Sequence, residues 1–157
     1  MRALAQVDAW PPETVAVGVI DRGGELGARG PRDQVFRWAS LAKLLCAYAC
    51  LVAAEEGTLD LDEAAGPPGS TVRHLLAHAS GLPFDGAAPI ARPGERRIYS
   101  NTGFELAAEH LAGRAGMPYA EYLAAAVLEP LGMRAGLHGS PAHAISGTLD
   151  DLVAFAR

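Results

Sequence analysis

Lysine is nearly absent from this chain. Of its thirteen basic residues twelve are arginine, and Lys43 is the single lysine. Arginine stays protonated in proteins, whereas a desolvated lysine can give up its proton and act as a base. Any side-chain amine chemistry therefore falls to one position. Cysteine is scarce as well: Cys46 and Cys50 are the only two. Four apart on an expected helix, they are badly placed for a mutual disulfide and read as buried reduced thiols. A disulfide-built secreted scaffold is excluded. Positive charge is not in excess either. The formal net charge is −5 and there is no basic run, which argues against a nucleic-acid or anionic-membrane partner. No stretch approaches the roughly 18 apolar residues of a membrane span. Met1 to Glu13 has no basic segment followed by an apolar one, so no secretory signal is expected. A cytoplasmic location is then the default expectation. Internal repeats and low-complexity tracts are missing too.

What is present suits one domain. The chain has 157 residues, and 50% of them are hydrophobic, enough for a sizeable core. Thr14 to Asp21 is β-branched and apolar and predicts a strand. Arg22 to Glu25 is a turn, and Leu26 to Arg29 a short returning strand weakened by Gly27. Strands are expected only here, at the beginning. An apolar helix is predicted from Leu41 to Glu56, stopped by Gly57. Ser70 or Thr71 caps a short helix through His78. Phe84 to Glu95 is rich in glycine and proline and reads as surface loop. Further helices are predicted over Thr102 to Ala112, ended by Gly113, and from Pro118 to about Leu128. Leu131 to Ser146 reads as irregular. Thr148 and Asp151 form a capping box that opens a last helix.

Ser40 and Lys43 stand at the start of the long helix. Ser40 can be an N-cap, worth roughly 1 kcal/mol. The same geometry allows chemistry. A helix start offers free N–H groups and a positive dipole end. Lys43, one turn on, faces the same way. If desolvated, its amine can take the hydroxyl proton and turn Ser40 into a nucleophile. A solvated Lys43 is hard to reconcile with Leu41, Ala42, Leu44, Leu45 and Cys46 around it. Tyr99 and Asn101, two apart in a non-helical segment, can point the same way. A phenol beside a cation is a usable proton carrier, and a side-chain amide can orient a carbonyl. A core tyrosine and an Asn N-cap are the plainer readings of the two. His74 and His78 lie four apart on a helix, but Leu75 stands where a zinc protease would have its glutamate. They read as structural histidines, and no metal is expected. No Gly-x-Ser-x-Gly elbow appears.

Six blocks in order resemble one known family. Phe36-Arg37-Trp38-Ala39-Ser40-Leu41-Ala42-Lys43 resembles the Ser-x-x-Lys box of serine β-lactamases and penicillin-binding proteins. Glu55 to Asp62 is similar to the segment that follows it in the class C β-lactamase-like branch. Val72 to Pro83 resembles that branch's His-x-Ser-Gly-Leu-Pro block, and Tyr99-Ser100-Asn101 its Tyr-x-Asn box. Leu128 to Met133 and Gly147 to Ala156 resemble two later blocks. The resemblance implies an α+β, β-lactamase/transpeptidase-like fold, mostly helical here with an N-terminal β-hairpin. It implies a serine acyl hydrolase in which Ser40 is acylated and Lys43 is its base. Tyr99 would be the second acid/base, and Asn101 would hold the substrate's acyl-side amide or carbonyl. The substrate would be a small ester, a β-lactam or a D-Ala peptide, with no cofactor. The family's third motif, a Lys/His-x-Gly strand, has no counterpart after Asp151; His138-Gly139-Ser140 resembles it only superficially. Residues 1–157 are thus expected to be the N-terminal portion of a longer domain, with the C-terminal sheet strands missing or supplied by a second chain. A non-catalytic binding or structural member of the family is the alternative.

Overall fold

A computed structural model describes residues 2–157, with side chains from Leu4 onward. Met1, with which the stretch expected to lack a secretory signal begins, lies outside them. The architecture is α+β: a helical body with two small sheets. A 3-10 helix, Arg2–Ala9, comes first and packs on the N-terminal hairpin. The hairpin pairs β1 (Val17–Asp21) with β2 (Gly24–Arg29) in antiparallel register, Val17 opposite Arg29 and Asp21 opposite Gly24. A bulge between Val19 and Ile20 lets the returning strand run its full length despite Gly27.

The expectation that strands occur only at the beginning is corrected. A second sheet joins β3 (Phe36–Arg37), β4 (Gly136–Leu137) and β5 (Ile145–Gly147), with β5 in the middle. Strands of two or three residues are too short to show an alternating pattern, and the glycines and proline around them read as loop. Phe36 pairs with Gly147 and Arg37 with Ser146, so β5 fixes the residues that lead into Ser40.

The long helix α1 spans Ala42–Glu55 and is preceded by a 3-10 turn, Ala39–Leu41. Gly57 sits just past its end at φ +75°. One face of α1 is in the core: Ala42, Leu45, Cys46, Ala49, Cys50 and Ala53 are fully buried. The other face is also apolar and is exposed, through Leu41, Leu44, Tyr48 and Leu51. Both cysteines are free and buried.

Helix α2 is short, Val72–Leu76, and Thr71 is its N-cap in a reciprocal capping box with His74. Helix α3 spans Asn101–Ala115. It starts one residue earlier than the sequence predicts, because Ser100 is the cap, and runs through Gly113 to Gly116 at φ +67°. Gly113 continues the helix because interior glycine costs only about 1 kcal/mol, less than α3's packing returns. Helix α4 (Tyr119–Leu123) follows Pro118 and continues as a π-helical turn, Ala124–Leu128. Helix α5 (Leu149–Ala156) opens with the Thr148–Asp151 capping box and lies against β1, its Val153 and Leu149 close over Gly18. Among the described residues no helix is long and apolar enough to cross a membrane.

Candidate active site

The backbone before Ser40 is built to a tight specification. Trp38 is buried; its N–H donates to the Ile145 carbonyl at 2.9 Å and its indole Nε1 to the Gly147 carbonyl at 3.1 Å. Both bonds tie β3 to β5. The chain then turns sharply, with Ala39 at φ +45°, a left-handed conformation that costs a non-glycine residue about 1 kcal/mol or more. Ser40 follows in the 3-10 turn and is exposed. The N-cap reading of Ser40 is corrected: Leu41 occupies the cap position, and no side chain caps the helix. The left-handed Ala39 moves the start of α1 past the serine, so its hydroxyl is free for other partners.

Lys43 is 5% exposed. Its Nζ donates to Asn101 Oδ1 at 2.7 Å, to the Ala142 carbonyl at 2.9 Å and to Ser40 Oγ at 3.3 Å. Three acceptors match the three donors of an ammonium, and all three are neutral. Among the described residues no carboxylate pairs with it. A lysine that is buried, fully hydrogen-bonded and without a counter-ion is uncommon, because burying a charge is costly unless it is paired. The solvated reading of Lys43 is therefore excluded.

Tyr99 and Asn101 both reach this lysine, as two residues of one extended segment can. Nζ lies 4.8 Å from the centre of the Tyr99 ring. Tyr99 is 37% exposed, which rules out the core-tyrosine reading. Burial raises its phenol pKa, but the Ser40 hydroxyl, the Lys43 ammonium and Arg97 outweigh that and bring it below the usual phenol value. Asn101 is not the cap of α3. Ser100 caps it, accepting from Gly103 N–H at 3.0 Å, and this leaves the Asn101 amide for Lys43.

Five further groups support this arrangement. His78 stands at φ +59°; its Nδ1 accepts the Ser100 N–H at 3.1 Å, and its carbonyl accepts the Ile98 N–H at 2.8 Å. The ring lies against Tyr99 and Phe104, with centroids 4.4 and 5.1 Å apart. Burial first, then Arg97 and Lys43, push the imidazole pKa down, in keeping with an unprotonated Nδ1. The histidine is structural, as expected, yet it is what aims Tyr99. Ala142 contributes only a carbonyl. It is placed by Ser140, whose Oγ accepts the Ala142 N–H at 3.1 Å and donates to Glu105 Oε1 at 2.6 Å. Glu105 is one turn beyond Asn101 on α3, so a single helix positions two of the three acceptors of Lys43. Of His138-Gly139-Ser140, it is Ser140 that clamps this loop. Asp85 is the fifth: its Oδ1 accepts from Asn101 Nδ2 at 3.1 Å. That bond fixes the amide with its oxygen toward the ammonium.

Two of the other histidines make structural contacts. His74 closes the α2 capping box, and His110 meets Glu63 at 2.7 Å. Among the described residues no group of three or more metal-ligating side chains forms a candidate metal site.

Comparison with known proteins gives the same frame. A sequence model described as Beta-lactamase matches residues 12–156. The D-alanyl-D-alanine-carboxypeptidase/endopeptidase AmpH of Escherichia coli (strain K12) is 30% identical over 139 residues, covering 65% of this chain and 36% of that protein. Penicillin-binding protein 4* of Bacillus subtilis (strain 168) is 29% identical over 134 residues, covering 64% of this chain and 30% of that protein. A beta-lactamase from Mycobacterium bovis has a solved structure that matches with a TM-score of 0.95 at 46% identity, over 98% of this chain and 58% of that one. The chain spans about a third of the length of the curated relatives it matches.

Proposed function

The chain belongs to the beta-lactamase family, and from that premise we propose that it is a serine acyl hydrolase of the class C-like branch, working through an acyl-enzyme on Ser40. Its fold is the β-lactamase/transpeptidase-like one. The observation that carries the reading is a buried lysine without a counter-ion, 3.3 Å from the hydroxyl of an exposed serine. Written as a free amine, Lys43 keeps two N–H donors for Asn101 Oδ1 and the Ala142 carbonyl. Its lone pair is then left facing Ser40 Oγ.

In the first step Ser40 Oγ bonds to the substrate's carbonyl carbon while its proton passes to Lys43 Nζ. The carbonyl electrons move onto oxygen. The Ser40 N–H, which no acceptor takes among the described residues, donates to that oxyanion. Collapse breaks the bond to the leaving group, which takes a proton from Lys43 or from the Tyr99 hydroxyl. In the second step water adds to the acyl carbon and gives its proton to the same pair; the ester bond to Oγ breaks, and Ser40 recovers its proton. The lowered Tyr99 pKa suits a phenol that shares this traffic. Asn101 has a second amide N–H free to hold the acyl-side carbonyl of the substrate.

The substrate class is an ester, a β-lactam or a peptide ending in D-Ala, and the names of the two curated relatives favour the last two. The second oxyanion donor would come from further strands, in the same polypeptide or a second chain. Two features support that placement. The exposed apolar face of α1 adjoins a groove of about 370 Å³ lined by Val17, Ile20, Leu44, Leu152 and Phe155, and β1 has one edge unpaired among the described residues.

Lys43→Arg tests the base. A guanidinium cannot take the proton, so acylation of Ser40 should fall by about 10²–10⁴-fold, the usual worth of a general base, with the far-UV circular dichroism unchanged. Acylation at the wild-type rate in a folded Lys43→Arg protein would end the assignment.

A further inference from the structure

Two nucleophilic side chains take no part in the steps above and are buried one and two turns beyond Lys43. Cys46 and Cys50 lie four apart on the core face of α1, and both are free and fully buried. The Cys46 thiol donates to the Phe104 carbonyl, with sulfur and oxygen 3.8 Å apart. Cys46, and burial after it, push the Cys50 pKa up and keep that thiol protonated. The first residue of α4 completes the cluster. Tyr119 is 8% exposed, and its Oη is the one buried side-chain polar atom without a hydrogen-bond partner among the described residues. Burial, then Cys46 and Cys50 beside it, push the phenol pKa up, yet neither thiol meets the hydroxyl in bonding geometry. An orphaned hydroxyl in a core is rare and needs a partner.

We infer that Cys46 and Cys50 form a two-coordinate site for a divalent thiophilic ion, mercury(II), whose occupancy slows acylation of Ser40. The pair falls short of the four ligands of a structural zinc site. A soft ion held by two thiolates in line suits it. Two such bonds of about 2.3 Å span about 4.6 Å, and Cβ atoms at i and i+4 of a helix are roughly 5–6 Å apart. Each thiol loses its proton and each sulfur makes one bond to the ion, so two protons leave and nothing is oxidised. One divalent ion between two thiolates is neutral, which a core tolerates far better than a charge. The Tyr119 O–H then has a thiolate sulfur to donate to. In exchange the Cys46 bond to Phe104 is lost. The Phe104 ring lies 5.8 Å from Lys43 Nζ and 5.1 Å from the His78 ring, so the change reaches the base. This coupling rests on the proposed function; the binding does not.

The test adds mercuric chloride to the folded protein in excess glutathione, a monothiol that strips the ion from single thiols. Two thiols held together compete through their effective concentration. Native mass spectrometry should show one ion per chain, two protons lighter than simple addition. Capture should be slow, because buried thiols react only after local opening. Cys46→Ala and Cys50→Ala, each checked for folding by circular dichroism, should retain no ion. Tyr119→Phe should hold it roughly 10-fold more weakly. Fluorophosphonate labelling of Ser40 should slow in the loaded wild type and not in the treated alanine variants. A wild type that retains no ion, or alanine variants that retain it equally, overturns the site. If neither variant folds, the loaded wild type is freed of glutathione, unfolded and alkylated: both cysteines blocked supports the site, and either one open overturns it. Retention with labelling at the unloaded rate overturns the coupling. Absence of labelling without mercury sinks the proposed function, and the coupling with it, while the retained ion still upholds the site.

Discussion

Gly147→Ala puts the scaffold under Ser40 to a direct test. A Cβ at this position would stand 2.3 Å from Trp38 Cζ2, 2.6 Å from Cη2 and 2.9 Å from Ala135 Cβ. Non-bonded carbons sit near 3.5–4.0 Å at their optimum, so the indole has to move. It has little room, being 5% exposed and bonded through Nε1 to the carbonyl of Gly147 itself. Overpacking a core of this kind costs about 1–3 kcal/mol, and a strained or lost indole hydrogen bond adds about 1 kcal/mol. The total is about 2–4 kcal/mol. In a domain of this size each kcal/mol lowers Tm by roughly 2–4 °C, so the variant should melt roughly 4–16 °C below wild type. Thermal unfolding followed by circular dichroism measures the drop. A double-mutant cycle with Trp38→Phe identifies its cause. Phenylalanine lacks both atoms that clash, so the two substitutions should couple by at least about 1 kcal/mol. Because Trp38 is two residues before Ser40, Gly147→Ala should also slow acylation. An unchanged Tm, or a strictly additive cycle, would refute the steric reasoning and the placement of β5 beside β3.

Tyr99→Phe should cut turnover by about 10²-fold or more. The phenol enters the scheme as a proton donor, so with its pKa lowered wild-type activity should fall as pH rises through a value below the usual phenol range, and this limb should vanish in the variant's pH–rate profile. His78, with its folded pKa depressed, contributes stability that is complete above the ordinary histidine value of about 6.5 and is lost as pH falls through the folded one. A urea titration at stepped pH should show that loss, and His78→Ala should abolish it while destabilising the Tyr99 segment. Ser140→Ala removes the link from Glu105 to the Ala142 loop. It should lower kcat more than it lowers Tm, with Ser140→Thr restoring most of the rate; equal rates in Ser140→Ala and wild type would dismiss the clamp.

The helices were legible because each carries its own punctuation. Gly57 ends α1, Pro118 opens α4, and Thr148 with Asp151 opens α5. Ser40, Lys43, Tyr99 and Asn101 were legible as a set, because a lone lysine one turn from a serine and two polar residues spaced by two are patterns in residue identity. What stayed hidden acts through the backbone or across long stretches of chain. Ala142 offers only a carbonyl, and β5 meets β3 over more than a hundred residues. Asp85 lies in a glycine- and proline-rich loop with no periodicity, and only the fold brings it to Asn101. Ser100 rather than Asn101 capping α3 was a choice between two adjacent cap formers that local propensity does not decide.

Acylation of Ser40 is the most direct test of the proposed chemistry. The full-length protein would be incubated with a fluorescent penicillin and with a fluorophosphonate, and the adducts weighed and mapped by peptide mass spectrometry. One adduct per chain is predicted, located on Ser40, with none in Ser40→Ala. A folded full-length protein that carries no adduct, or carries it on another residue, would contradict the assignment of Ser40 as the nucleophile.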